Sequence, residues 1–167
     1  SPSSKTTLSD VSNRRDDWGV IELEENLGHK LDHFIIKKFN WVEFINPQRE
    51  SFPVNMIARH NDLVRRGIHL ASQTGCQITK KTQQGFLLHN CDLTTGASGA
   101  PLFYKSEGKY YAVAISAAEF TGPAEHSLTL DTYSHIRANI AVDTSRMVNF
   151  LNEIIRLHAR TSLQRPR

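Results

Sequence analysis

Hydrophobic and polar positions alternate in short runs along most of the chain. "WGVIELE" at 18–24 sets Ile21 and Leu23 against Val20, Glu22 and Glu24, a strand signal. "DHFIIKKFNWVEFI" at 32–45 is rich in β-branched and aromatic residues and predicts one or two strands. "NPQRES" at 46–51 is a polar break containing proline, a candidate linker. Short apolar runs then recur at 52–58, 68–72, 76–79, 86–89, 100–104, 110–117 and 140–143. The turn-forming strings "HND", "TG", "QQG", "SEGK" and "TGPAEH" separate them. Regular short strands with polar turns predict a sandwich or barrel. The last segment changes period. Met147, Val148, Leu151, Ile154 and Ile155 recur at helical spacing, and Asp143, Thr144 or Ser145 is the candidate cap. The pattern therefore predicts an all-β fold closed by one amphipathic C-terminal helix. Residues 1–15 are polar and read as loop, and no internal repeat stands out.

Composition adds bounds. The 167 residues suffice for one domain or two small ones, with 39% hydrophobic and 22% charged positions. The net charge of +3 owes much to Arg156, Arg160, Arg165 and Arg167, read as a solvated tail. No basic face carries the interleaved aromatics that single-stranded nucleic acid requires, so a nucleic-acid partner is not expected. No apolar run is long enough for a transmembrane helix, and a membrane partner is not expected. No signal peptide precedes Ser1 and no initiating Met is present, which predicts a processed, trimmed or partial chain.

Two cysteines, Cys76 and Cys91, flank what reads as a hairpin around "KKTQQG". A disulfide between them would contribute roughly 3 kcal/mol in the chain-entropy model and would point to an oxidising compartment. Two buried free thiols are the alternative.

The candidate chemistry lies in "CDLTTGASGAPLFY", from Cys91 to Tyr104. Gly96 and Gly99 bracket Ser98, allow torsions barred to other residues and leave room for another chain to approach. If the amides of Gly96 and Ser98 point to one spot, they form a donor pair for a developing oxyanion. A glycine-rich hairpin with an incidental serine is the plain alternative. The string is not the nucleophile elbow of α/β-hydrolases, because Ala100 stands where the second glycine is needed and a β run follows.

The full string resembles the nucleophile segment of trypsin-like, chymotrypsin-fold serine peptidases, and is closest to the bacterial secreted branch that includes glutamyl endopeptidases. Gly96, Ser98, Gly99 and Pro101 carry the match. "DDWGVIEL" resembles the family's aspartate segment, with Asp17 at the matching place and Asp16 a weaker candidate. "AVAISAAEF" looks like the strand that lines the specificity pocket and binds substrate backbone, and "NIAVDTSRMVNFLNEII" like the last strand and terminal helix. The resemblance implies a chymotrypsin-like double β-barrel, with residues 1–48 as a remnant of the first barrel, 49–158 as the second barrel with its helix, and 159–167 as a tail. It implies a serine endopeptidase acting on polypeptide through an acyl-enzyme. Ser98 is the implied nucleophile, the amides of Gly96 and Ser98 the oxyanion hole, and Asp17 the residue that orients a histidine. Asp92 would sit at the base of the pocket, with Ser116, Ala117 and Ala118 at its edge. No metal or organic cofactor is implied. Secretion or a periplasmic location follows from the resemblance and the cysteine pair.

Departures from the family pattern matter as much. The family's order is histidine, aspartate, serine, yet all eight histidines follow Asp17. Three explanations compete: a partial chain lacking an upstream histidine, an inactive homologue used for protein binding, or a later histidine as base. His29 and His33 are four apart, but "HKLDH" lacks a zinc-protease glutamate, and both read as surface residues. His89 is expected in the strand leading to the serine turn, in a structural role. Ile115 stands where glutamyl endopeptidases carry a pocket histidine, which argues against glutamate preference. Asp92 could favour Arg or Lys substrates or instead cap the turn, while Ala118 and Ala141 replace glycines and would narrow the pocket.

Overall fold

The computed structural model describes residues 18–25, 27–44, 51–119 and 138–163. Outside that set lie the polar start with Asp16 and Asp17, most of the "NPQRES" break, the "TGPAEH" turn, and Arg165 and Arg167. The strands are β1 (Ile35–Ile36), β2 (Phe52–Ala58), β3 (Ala71–Lys81), β4 (Phe86–His89), β5 (Pro101–Ser106), β6 (Lys109–Glu119) and β7 (Asn139–Asp143). The helices are α1 (Trp41–Phe44), α2 (Asn61–Val64) and α3 (Ser145–Leu163), with a 3₁₀ turn at Leu27–His29. Strands β2, β3, β4, β7, β6 and β5 pair antiparallel in that spatial order, and β5 pairs back to β2. The result is a closed six-stranded antiparallel barrel with a C-terminal helix. β1 adds to β6 in parallel.

Two clusters explain the pattern. All six barrel strands contribute to the first, which includes Val54, Met56, Cys76, Ile78, Leu87, Leu102, Val113 and Ala141. The second lies on the other face of β4 and β7, where Phe86, Leu88, Ile140 and Val142 meet Met147 of α3. Both faces of β4 are thus covered, which is why all four of its residues are buried. His89 is in this strand, as its sequence position predicts. The Asp143 carboxylate accepts from the Ser145 amide (2.6 Å), so Asp143 supplies the cap for α3 among the three candidates.

Four ladders carry irregularities, in β2–β3, β3–β4, β5–β6 and β6–β7. Such bulges bend and twist strands, as closure of a small barrel requires. One of them corrects the expected boundary between the runs at 68–72 and 76–79. "TG" is not a turn there: Thr74 and Gly75 together oppose Asn55 within one continuous β3, with Gly75 at φ 74° and its amide donating to Asn55 Oδ1.

Two other expectations fail. Residues 18–23 form no ladder, and Ile21 is 86% exposed. Alternation makes a strand only when a partner and a buried face are present, and neither exists for this segment among the described residues. The aromatic stretch at 32–44 yields only the two-residue β1 and then α1. Asn40 decides this: its Oδ1 accepts from the amides of Val42 and Glu43 (3.1 and 3.4 Å), capping a helical turn. Phe39 and Phe44 join the barrel's own core, so this part of residues 1–48 packs on the barrel.

Candidate active site

The segment between β4 and β5 makes two consecutive β-turns. The Ala97 amide donates to Thr94 O and the Ala100 amide to Ala97 O, both at 3.1 Å. The third position of each turn is a glycine at positive φ, Gly96 at 100° and Gly99 at 87°. Type II turns demand such a residue there, which accounts for both glycines. Ala97 and Ala100 are buried in the barrel core, leaving Ser98 exposed between them. The two alanines therefore have a packing reason: their methyls belong to the barrel core on either side of the exposed serine.

The turn is docked on β6. The Gly99 amide donates to Ser116 O, and the Ser116 amide to Ala100 O, each at 2.8 Å. Beyond Ser116 the β6–β7 register shifts, because Ser116 pairs with Ala141 but Ala118 with Ile140. Ala117 is the bulged residue, and its carbonyl accepts the Ser98 hydroxyl at 3.3 Å. While Ala97, Gly99 and Ala100 use their amides within the fold, those of Gly96 and Ser98 donate to no acceptor among the described residues. These are the two donors expected for an oxyanion.

A corner between β2 and α2 braces the other side. A Cβ on Gly96 would lie 2.7 Å from Asn61 Oδ1 and 3.3 Å from Arg59 O. Asn61 also donates its amide to Thr95 O (2.9 Å), and Arg59 donates to Asn61 Oδ1 (2.7 Å). Next to it, Thr94 Oγ1 donates to Asp62 Oδ1 (2.8 Å) and lies 3.0 Å from His60 Nδ1. The Thr94 hydroxyl holds the Asp62 carboxyl below its ordinary pKa. A hydroxyl has one hydrogen, and an ionised carboxylate only accepts. His60 Nδ1 must therefore carry the hydrogen donated to Thr94, in either charge state.

The remaining predicted residues divide. Asp17 lies outside the described residues. Its neighbour Trp18 packs on the cluster of Phe86, Leu88, Ile140 and Met147, against which Ala117 and Ala118 also pack. Ser116 is fully buried, and its hydroxyl has no partner among the described residues. Asp92 is exposed. Its amide donates to Gln73 Oε1 (2.7 Å), while its carboxylate bonds nothing among the described residues, so it does not cap the turn. Cys76 and Cys91 form a disulfide with a Cα–Cα distance of 5.0 Å, tying β3 to the start of the serine segment. No described histidine hydrogen-bonds Ser98. His33 is exposed.

Sequence reasoning missed the meeting of Asn61, His60 and Asp62 with Thr94, Thr95 and Gly96 of the serine turn. "HND" following a strand reads simply as a turn, and Thr94 is 34 residues from His60. Compared with known proteins, the chain matches no family model, and no curated protein is significantly similar to it.

Proposed function

We propose that this chain carries the nucleophile of a chymotrypsin-like serine endopeptidase, with Ser98 forming an acyl-enzyme on polypeptide substrates. The observation that carries the reading is the serine turn: an exposed hydroxyl on a double turn, beside two amides that donate to no acceptor among the described residues. A tetrahedral intermediate on Ser98 would place its oxyanion toward those amides, where preorganised donors are worth several kcal/mol. The closed antiparallel barrel with its terminal helix agrees with the resemblance. Asp17 remains the proposed carboxylate that orients a histidine, on the resemblance of "DDWGVIEL" to the family's aspartate segment. Asp92 and the edge formed by Ser116, Ala117 and Ala118 remain the proposed substrate-side contacts. The disulfide supports an oxidising compartment, and secretion is proposed on that basis.

A second reading has its own observation. Ser98 donates to a backbone carbonyl, and no described histidine is bonded to it, as suits an inactive homologue that binds protein. Serine without a base is a weak nucleophile. Fluorophosphonate labelling of the intact protein separates the two. The peptidase reading expects covalent label on Ser98, lost in Ser98→Ala together with proteolysis. Absence of label on the folded wild type, or label that survives Ser98→Ala, would overturn it.

A further inference from the structure

The Arg59–Asp62 corner meets the serine turn through three independent contacts. Asn61 donates its amide to Thr95 O, its side chain lies against the face of Gly96, and Thr94 is held by Asp62 and His60. Gly96 sits at φ 100°, reachable by glycine but stabilised by nothing in its own side chain. A peptide unit in that region can rotate unless its neighbours fix it. We propose that this corner is a positioning device for the Gly96 amide, with Asn61 as the residue that sets the amide's direction and Arg59 acting through Asn61.

The chemistry of the corner explains the division of labour. The Asn61 Oδ1 that abuts Gly96 is also the acceptor for Arg59 Nη1, so the guanidinium fixes the side-chain rotamer and decides which amide atom faces the turn. The Thr94 hydroxyl is bonded on both sides, donating to Asp62 and accepting from His60, so the first residue of the turn cannot swivel. Gly96 itself is then gripped between Asn61, Arg59 O and the hydrogen bond of the first turn, from the Ala97 amide to Thr94 O. An oxyanion donor displaced by about 1 Å loses much of its effect, so small changes at Asn61 should reach Ser98 without any contact between them.

The inference rests on the reading of Ser98 as a nucleophile, and the test keeps the two apart. In the intact protein, three quantities are read for wild type, Asn61→Ala, Arg59→Ala and the double variant: the second-order rate of Ser98 labelling by a fluorophosphonate, KM for a peptide ester, and the Gly96 amide resonance. Asn61→Ala should label about 10- to 100-fold more slowly, with KM changed less than about two-fold and the Gly96 resonance displaced. Arg59→Ala should slow labelling several-fold, and the double variant should be no slower than Asn61→Ala within about two-fold, because both act on one peptide. Labelling of Asn61→Ala within about two-fold of wild type overturns the proposal, as do losses that multiply in the double variant. Should Asn61→Ala not fold, Arg59→Ala decides: it must slow labelling and move the Gly96 resonance. If wild type takes no label, the peptidase reading falls, and the Gly96 resonance alone decides the positioning role, an unmoved signal in Asn61→Ala refuting it.

Discussion

His89 is the most exposing test of how this interior is built, because it is buried completely and neither ring nitrogen makes a well-aligned hydrogen bond among the described residues. Burial pushes its pKa down from 6.5 to about 4, with the Ile140 backbone pulling weakly the other way. The folded state therefore keeps the ring neutral, whereas the unfolded chain takes up a proton below pH 6.5. Stability from this residue is complete above 6.5 and is lost as pH falls toward 4. The loss amounts to about 3 kcal/mol, from the 6.5-to-4 shift at roughly 1.4 kcal/mol per pH unit. Urea denaturation from pH 7 to 4 should show wild type losing that much more than His89→Leu, which has no ring to protonate. Parallel pH curves for the two proteins would contradict the assignment. Leucine should cost little at pH 7, since removing an unsatisfied buried polar group offsets imperfect packing. The sequence placed His89 in its strand, but its full burial depends on both faces of β4 being covered, which a four-residue run does not reveal.

At the scale of elements, the serine turn depends on what precedes it as much as on its own glycines. The disulfide fixes Cys91 to β3 at the point where β4 ends, and the Asp92 amide is tied to Gln73 of the same strand. The cross-link closes a loop with a sequence separation of 15, for which chain entropy gives about 3 kcal/mol. Cys76→Ala/Cys91→Ala should accordingly melt well below wild type, and reducing agent should lower the melting temperature of wild type but not of the double variant. Equal melting of wild type with and without reductant would remove the disulfide from the stability account. Legibility at this scale follows chemistry. The cysteine pair, the C-terminal helix and most barrel strands were readable because each has a local signature. Alternation misled at 18–24, where no partner strand among the described residues gives it a buried face. Aromatic richness misled at 41–44, although Asn40 ahead of Trp41-Val42-Glu43 was an available cap signal. The Arg59–Asp62 corner was unreadable for a different reason: its partners come from the segment between β4 and β5, and no periodicity encodes that meeting.

Across the whole molecule, the segment from β1 to α1 is held to the barrel by ring packing and by a hydrogen-bonded cluster at Thr144. The fully buried Thr144 Oγ1 lies 2.6 Å from Lys37 O and 2.9 Å from Val113 O, sharing its hydrogen between the two carbonyls. The Lys37 amide in turn donates to Ala112 O (2.9 Å), extending the short parallel pairing of β1 with β6. Lys38 reaches Asn149 on α3, and Phe44 packs its ring on Phe52 with centroids 4.5 Å apart. One hydroxyl thus joins three elements: the N-terminal segment, β6 and the start of α3. Thr144→Val keeps the shape but leaves the Lys37 carbonyl without that donor, a change that typically costs about 1–3 kcal/mol. Because the aromatic contacts survive, the barrel should stay folded while the segment loosens. Hydrogen exchange at the Lys37 amide should accelerate in Thr144→Val far more than at amides of β3, whereas Thr144→Ser, which retains the hydroxyl, should stay near wild type. Uniform acceleration across β3 and Lys37 would mean that Thr144 supports the barrel as a whole, and unchanged exchange at Lys37 would mean that the ring cluster alone holds the segment in place.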